Sequence, residues 1–235
     1  MDAARKTAIV VGGLFVLATV ASLAATSLTA PSTSSNYLTQ AAAHADQVKA
    51  GALLQLTAAL AVVLIAAFLF PILRRYDEGI AAGYLGVRVV EAVILVVGAV
   101  GTLLLVTLSQ AYVGAGSPPD PSYSTSGVVL QGIGTWAFVA DPLIFGVGAV
   151  LFYYLLFRSR LVPLWLSGWG MAGAVLVFGA GLTGLFGSFQ YALAVPIAVQ
   201  EMALAGWLIL RGFSLNGSGR PSATGFGEKP NLAVN

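Results

Sequence analysis

The sequence predicts an all-α fold: a polytopic membrane protein built as a bundle of six transmembrane helices, with both termini in the cytoplasm. Three observations predict it. Hydrophobic residues make up 58% of the 235-residue chain and charged residues only 9%, against roughly 25% charged in a soluble domain. Six apolar stretches reach the length of about 20 residues that crosses a ~30 Å hydrocarbon core as a helix. The basic residues gather in the segments that alternate crossings would place on one side. Helix rather than strand follows because an open sheet would leave backbone N–H and C=O groups unpaired in lipid.

The stretches lie at roughly 8–28, 51–73, 80–112, 128–157, 163–186 and 190–212. The first follows Arg5 and Lys6 as a signal peptide would. A signal's apolar region is about 7–15 residues long, and the run from Ile9 to Leu28 exceeds that, so it reads as a retained helix. Residues 29–50 are polar, with Pro31 and a Ser/Thr cluster. Within them Tyr37 to Val48 is expected to be a helical extension at the membrane interface. Arg74 to Glu78 and Arg158 to Leu161 are charged turns, Gly187 to Phe189 is a short turn, and residues 113–127, rich in Gly, Pro and Ser, read as a flexible loop. These boundaries give one transmembrane domain, 1–215. The polar segment 216–235 is expected to be a disordered cytoplasmic tail.

Orientation follows from Lys and Arg. Arg5, Lys6, Arg74, Arg75, Arg158, Arg160, Arg211, Arg220 and Lys229 are nine of the eleven, and six crossings place all nine on one side. The positive-inside rule makes that side the cytoplasm. Lys49 falls opposite, and Arg88 lies within the third stretch. Five or seven crossings would scatter the pattern. Trp165, Trp169, Trp207, Tyr153 and Tyr154 fall near the cytoplasmic ends, as an aromatic belt would.

Composition also narrows function. There is no Cys, which excludes disulfides and thiolate metal sites. The single His, His44, lies in a loop beside Asp46 and reads as a solvated residue; no Ser–His–Asp arrangement fits it. No phosphate loop or dinucleotide fingerprint appears. A net charge of +2 without a basic stripe gives nucleic acid nothing to bind. No catalytic residue, metal or cofactor is therefore assigned, and an enzyme is the weakest class.

What stands out is charge in the wrong solvent. A charged side chain at the bilayer centre costs about 2.5–3.5 kcal/mol on insertion scales, yet Arg88, Glu91, Asp141 and Glu201 all fall in apolar stretches. Counted at about 1.5 Å per residue, the four share a slab near the midplane. At 100° per residue, Tyr84, Arg88, Glu91, Gly98, Thr102 and Ser109 form one stripe of the third helix. Gly134, Ala137, Asp141 and Gly148 form one on the fourth, and Gln190, Ala194, Ala198, Glu201 and Ala205 one on the sixth. Pro142 and Pro196 are each expected to remove a helical hydrogen bond, freeing the carbonyls of Phe138 and Ala192. Transporters place their sites at such interruptions.

The expected function is binding or translocation of a small solute or proton. Its candidate residues are Tyr84, Arg88, Glu91, Asp141, Gln200 and Glu201. Arg88 would take an anionic group and the acids would exchange protons. One cation does not compensate three anions, so Asp141 or Glu201 is expected to hold a proton. The alternative is a structural or regulatory membrane protein whose buried charges only fix helix packing. Gly168, Gly170, Gly173, Gly181 and Gly184 in the fifth helix suit close packing or a homo-oligomer. The remaining partner is the lipid bilayer.

Five segments carry a family resemblance. They are GALLQLTAALAVV (Gly51 to Val63), the stretch from Glu78 to Val93 with Tyr84, Arg88 and Glu91, TLSQAYVGAG (Thr107 to Gly116), FYYLLFRSRLVPLWLSGWG (Phe152 to Gly170) and PIAVQEMALAGWLI (Pro196 to Ile209). The chain resembles the bacterial membrane family called domain of unknown function 4386. The resemblance implies a multi-pass protein of the bacterial cytoplasmic (inner) membrane. It implies no activity and brings no site residues.

Overall fold

The structure, a computed structural model, describes residues 3–116 and 121–214. The expected tail, with Arg220 and Lys229, and part of the 113–127 loop lie outside the described residues. The helices are α1 (Ala3–Thr29), α2 (Tyr37–Ala43), α3 (Ala45–Leu73), α4 (Glu78–Gly114), α5 (Ser122–Ser159), α6 (Leu164–Phe186) and α7 (Val195–Leu210), with 3₁₀ turns at Ala30–Thr33 and Tyr191–Leu193. No strand occurs among the described residues. Among the described residues six helical segments are long and apolar enough to cross a membrane, the last being the Tyr191–Leu193 turn together with α7, and α2 is the short exception.

Local chemistry sets the ends. The Asp77 carboxylate accepts from the Ile80 backbone N–H at 3.0 Å and caps α4. Arg160 closes α5 in the left-handed conformation, φ 54°, and Pro163 directly precedes α6. Helices α4 and α5, of 37 and 38 residues, are each about 55 Å long at 1.5 Å per residue. They overrun the hydrocarbon core and form one rim of the bundle with α2. His44 breaks that segment into α2 and the start of α3, so the expected extension to Val48 is two helices instead of one.

The last helix corrects the reading of Pro196. α7 begins at Val195, with Pro196 in its first turn. A proline there removes no internal bond, because the first N–H groups of a helix have no partner within it. Pro142, by contrast, lies inside α5. Gln190 is exposed and precedes α7, and Ala198 is exposed too. The inward face of α7 is instead Ile197, Gln200, Leu204, Ala205 and Leu208, about one residue round from the expected stripe.

The six spanning helices close into a ring. Going round it, α1 packs on α3, α3 on α4, α4 on α5, α5 on α6, α6 on α7 and α7 back on α1. Lipid offers no hydrophobic drive between helices, so small residues that admit close approach hold the seams. Gly12 meets Ala205 and Ile209, Gly51 meets Ala25 and Thr29, Gly101 meets Ile133, and Gly173 meets Ile197. In α6, Gly170 lies against the Tyr153 ring and Gly181 against Leu143, whereas Gly168 faces open space. Most of the glycine stripe therefore serves packing within the chain. The outside of the ring is apolar: Leu23, Leu60, Val175 and Phe186 are all more than 60% exposed.

The end of the bundle that carries the termini is tied by polar contacts. Arg5 donates to the Leu208, Ile209 and Leu210 carbonyls at 2.6–3.2 Å, capping α7. The Ser214 N–H donates to the Leu161 carbonyl at 2.8 Å. Arg158 pairs with Asp77 at 3.5 Å. These contacts join α1, α7 and both charged turns. The ring interior at this end is filled by Phe15, Tyr84, Phe152 and Tyr153, whose rings pack in sequence with centroids 5.0–6.2 Å apart, Phe152 stacked on Phe15 and Tyr84 and tilted against Tyr153. Tyr153 is thus a core residue, 1% exposed, and not part of an aromatic belt. Its neighbour Tyr154 and Trp165 do face outward.

Candidate functional site

Three successive turns of α4 build the centre. Arg88 and Glu91 are three residues apart, which puts them on one face of a helix, and this face turns into the ring. Arg88 Nη1 donates to both Glu91 oxygens at 2.8 Å. Its Nε donates to the Tyr84 hydroxyl at 3.4 Å. The guanidinium also lies 4.9 Å from the Phe145 ring centre and 5.5 Å from that of Tyr84, within cation–π range. Arg88 is 2% exposed and Glu91 3%. From across the ring Glu201 of α7 approaches Arg88 Nη2 to 4.0 Å.

Charges sharing one slab on the third, fourth and sixth apolar stretches lead one to expect α4, α5 and α7 to be mutual neighbours, and the structure corrects this. In the ring only α4 and α5 are adjacent, and α7 packs on α1 and α6. The charges meet because long side chains reach the ring's centre. Gln200 explains how α7 is held there. Its Oε1 accepts from the Tyr153 hydroxyl of α5 at 2.5 Å, and its Nε2 donates to the Leu166 carbonyl of α6 at 2.9 Å. Both ends of this fully buried amide are engaged. Gln200 therefore clasps three helices, and it is not among the residues that line the cavity described next.

Asp141 stands apart from these pairs. Its Oδ1 is buried with no hydrogen-bond partner among the described residues. It belongs to the wall of a cavity of about 530 Å³ between α1, α3, α4 and α5. That volume is in the range of small-molecule sites. The wall extends from the exposed Thr33, Thr135 and Tyr191, past Thr29, Gln55 and Thr102, to Asp141. Thr33, the C-terminal part of α4 and the N-terminal part of α5 mark the end of the bundle opposite the termini. Pro142 leaves the Phe138 carbonyl without its usual helical partner, and Phe138 lines the same cavity.

The four charges singled out in the sequence thus converge, but in two parts. Arg88, Glu91 and Glu201, with Tyr84, form a packed core. Asp141 faces space. Arg88 is not on the cavity wall, so an anionic group entering the cavity meets no cation there. No group of three or more His, Asp or Glu side chains among the described residues is placed to hold a metal ion. Sequence reasoning missed the neutral polar wall: Ser22, Thr26 and Thr29 on α1, Gln55 on α3, and Gln131 and Thr135 on α5. The signal was present as helical spacing, since residues 22, 26 and 29 repeat at i, i+4 and i+7.

Neither a curated protein nor a solved structure matches the chain. A family model does match, over residues 10–212, and its description is domain of unknown function (DUF4386). That span contains every membrane-crossing centre and every charge of the site. The chain belongs to the domain of unknown function 4386 family.

Proposed function

We propose that this membrane protein binds, and by alternating access moves, a small solute or proton at a polar site in the middle of the ring. In this reading the termini and their basic residues face the cytoplasm of a bacterial inner membrane, and the cavity opens outward. The observation that carries it is a polar cavity that penetrates an apolar ring and ends at Asp141, whose buried Oδ1 has no hydrogen-bond partner among the described residues.

The competing idea, that the charges only staple helices, has less to rest on. The tight Arg88–Glu91 pair lies within one helix, so it fixes no register between helices. Asp141 makes no ion pair among the described residues and staples nothing. The cross-ring contact from Arg88 to Glu201 is 4.0 Å long. A structural role falls instead to Gln200 and Tyr153, which are neutral. Three carboxyls around one guanidinium carry excess negative charge when all are ionised, and a proton or a solute at Asp141 relieves it.

Dicyclohexylcarbodiimide, which reacts with protonated carboxyls in apolar surroundings, tests this in the native protein. Mass spectrometry is expected to find the adduct on Asp141 and not on Glu91, which Arg88 holds. An adduct on Glu91 with Asp141 untouched would overturn the reading.

A further inference from the structure

The hydrogen-bonding sense of the cavity wall deepens this reading by naming a solute class. A Ser or Thr hydroxyl has one donor hydrogen and two acceptor lone pairs. In this wall the hydrogens are directed back to the protein. Thr26 donates to the Ser22 carbonyl at 3.0 Å, Thr29 to Ala25 at 2.9 Å, Ser32 to Thr29 at 2.6 Å, Thr102 to Gly98 at 3.1 Å and Thr135 to Gln131 at 3.1 Å. The Gln131 amide N–H donates to the Ser32 carbonyl at 3.2 Å. What remains toward the space is acceptor: hydroxyl lone pairs and the Gln131 carbonyl. The donors left are few, namely the Gln55 amide, the second N–H of Gln131 and the hydroxyls of Ser22 and Tyr191.

Charge points the same way. Asp141 is the one ionisable carboxyl on the wall, and no Lys, Arg or His lines it. Arg88, the cation buried in the middle of the ring, is held by Glu91. Phe138 and Tyr191, with ring centres 6.1 Å apart, add aromatic faces that attract a cation. Phosphate, carboxylate and other anions find no positive charge on the wall, and an ionised Asp141 repels them.

We infer that the cavity takes a small organic cation bearing N–H donors, an alkylammonium in class, with Asp141 as its counter-ion and the Ser, Thr and Gln oxygens as its acceptors. The inference rests on the proposal above that the cavity is a solute site.

The absence of native Cys allows a direct test with two thiol reagents of similar size and opposite charge. These are the trimethylammonium-ethyl and sulfonatoethyl methanethiosulfonates. Thr102→Cys places a thiol within the cavity, and Ser35→Cys, an exposed position off the wall, gives the intrinsic rate ratio. The cationic reagent is expected to label Thr102→Cys on the order of tenfold faster than the anionic one after that correction, because a cation entering the cavity displaces the proton that Asp141 holds when the cavity is empty and then meets a carboxylate in a partly screened, low-dielectric space. Asp141→Asn in the same background is expected to abolish the preference. Any effect of Asp141 on the thiol's own reactivity applies to both reagents and cancels in the ratio. Butylammonium is expected to slow labelling, and butan-1-ol and butyrate to leave it unchanged. If neither reagent reaches Thr102→Cys, the cavity is not a solute path and both the inference and the function reading fall. If both label it equally, or butyrate protects and butylammonium does not, the cavity stands and the cation class is wrong.

Discussion

At the scale of single residues, the four buried charges separate into two kinds, and mutation tells them apart. Arg88 and Glu91 are desolvated together, and removing one partner of such a pair leaves the other uncompensated, a loss of roughly 3–5 kcal/mol. Arg88→Ala is expected to lower the melting temperature in detergent strongly, because it strands Glu91. Asp141→Asn and Glu201→Gln mimic a protonated acid at positions with no tight partner, and each is expected to melt close to wild type. Normal melting of Arg88→Ala alongside collapse of both acid variants would show that the acids are required as charges. Tyr153→Phe isolates the neutral clasp. It leaves the Gln200 carbonyl buried without its donor, which costs about 1–3 kcal/mol, and it should lower the melting temperature without altering carbodiimide labelling of Asp141.

Among elements, α6 and α7 show what packing adds to a helical-phase argument. Gly170 and Gly168 look alike in the sequence, two small residues in one apolar run. In the ring the first abuts the Tyr153 ring and the second meets nothing. Gly170→Ala must displace Tyr153 and with it the Gln200 clasp. Overpacking of this kind costs about 1–3 kcal/mol, whereas Gly168→Ala is expected to be neutral; thermal melts of the two variants side by side check the contrast. Equal melting would mean that the α5–α6 seam yields freely to an added methyl. The inward stripe of α4 was legible because charge and burial coincide on it: Tyr84, Arg88, Glu91 and Ser109 are all buried. The stripe of α7 was misjudged because the helix starts five residues later than its apolar run. Within that run Pro196 reads equally well as an interruption or as a beginning. Only the position of the first helical turn decides between them.

For the whole molecule, the sequence carries the class of fold and the count of crossings, since both follow from the length of apolar runs and the solvent they require. The ring order was not legible. Nothing local in the chain states that α7 closes on α1, a contact sealed by Gly12 against Ala205 and by Arg5 on the last α7 carbonyls. The cavity was invisible for a related reason: its wall is assembled from neutral side chains on four helices, each unremarkable alone. Orientation in the membrane is the property that both levels leave to experiment, and the charge pattern makes it a sharp one. Among the described residues, Arg5, Lys6, Arg74, Arg75, Arg158, Arg160 and Arg211 belong to the terminus-bearing end, while Lys49 lies at the other and is paired to Asp46 at 3.3 Å. The positive-inside rule counts Lys and Arg in short loops, and seven against one is the ground for expecting that end in the cytoplasm. Single cysteines at Tyr76, in the turn between α3 and α4, and at Ser35, in the turn before α2, probe the two ends in a chain without native thiols. In intact cells an impermeant maleimide is expected to label Ser35→Cys at once and Tyr76→Cys only after permeabilisation. The reverse pattern would place the basic end outside and point the cavity toward the cytoplasm, overturning the orientation proposed above.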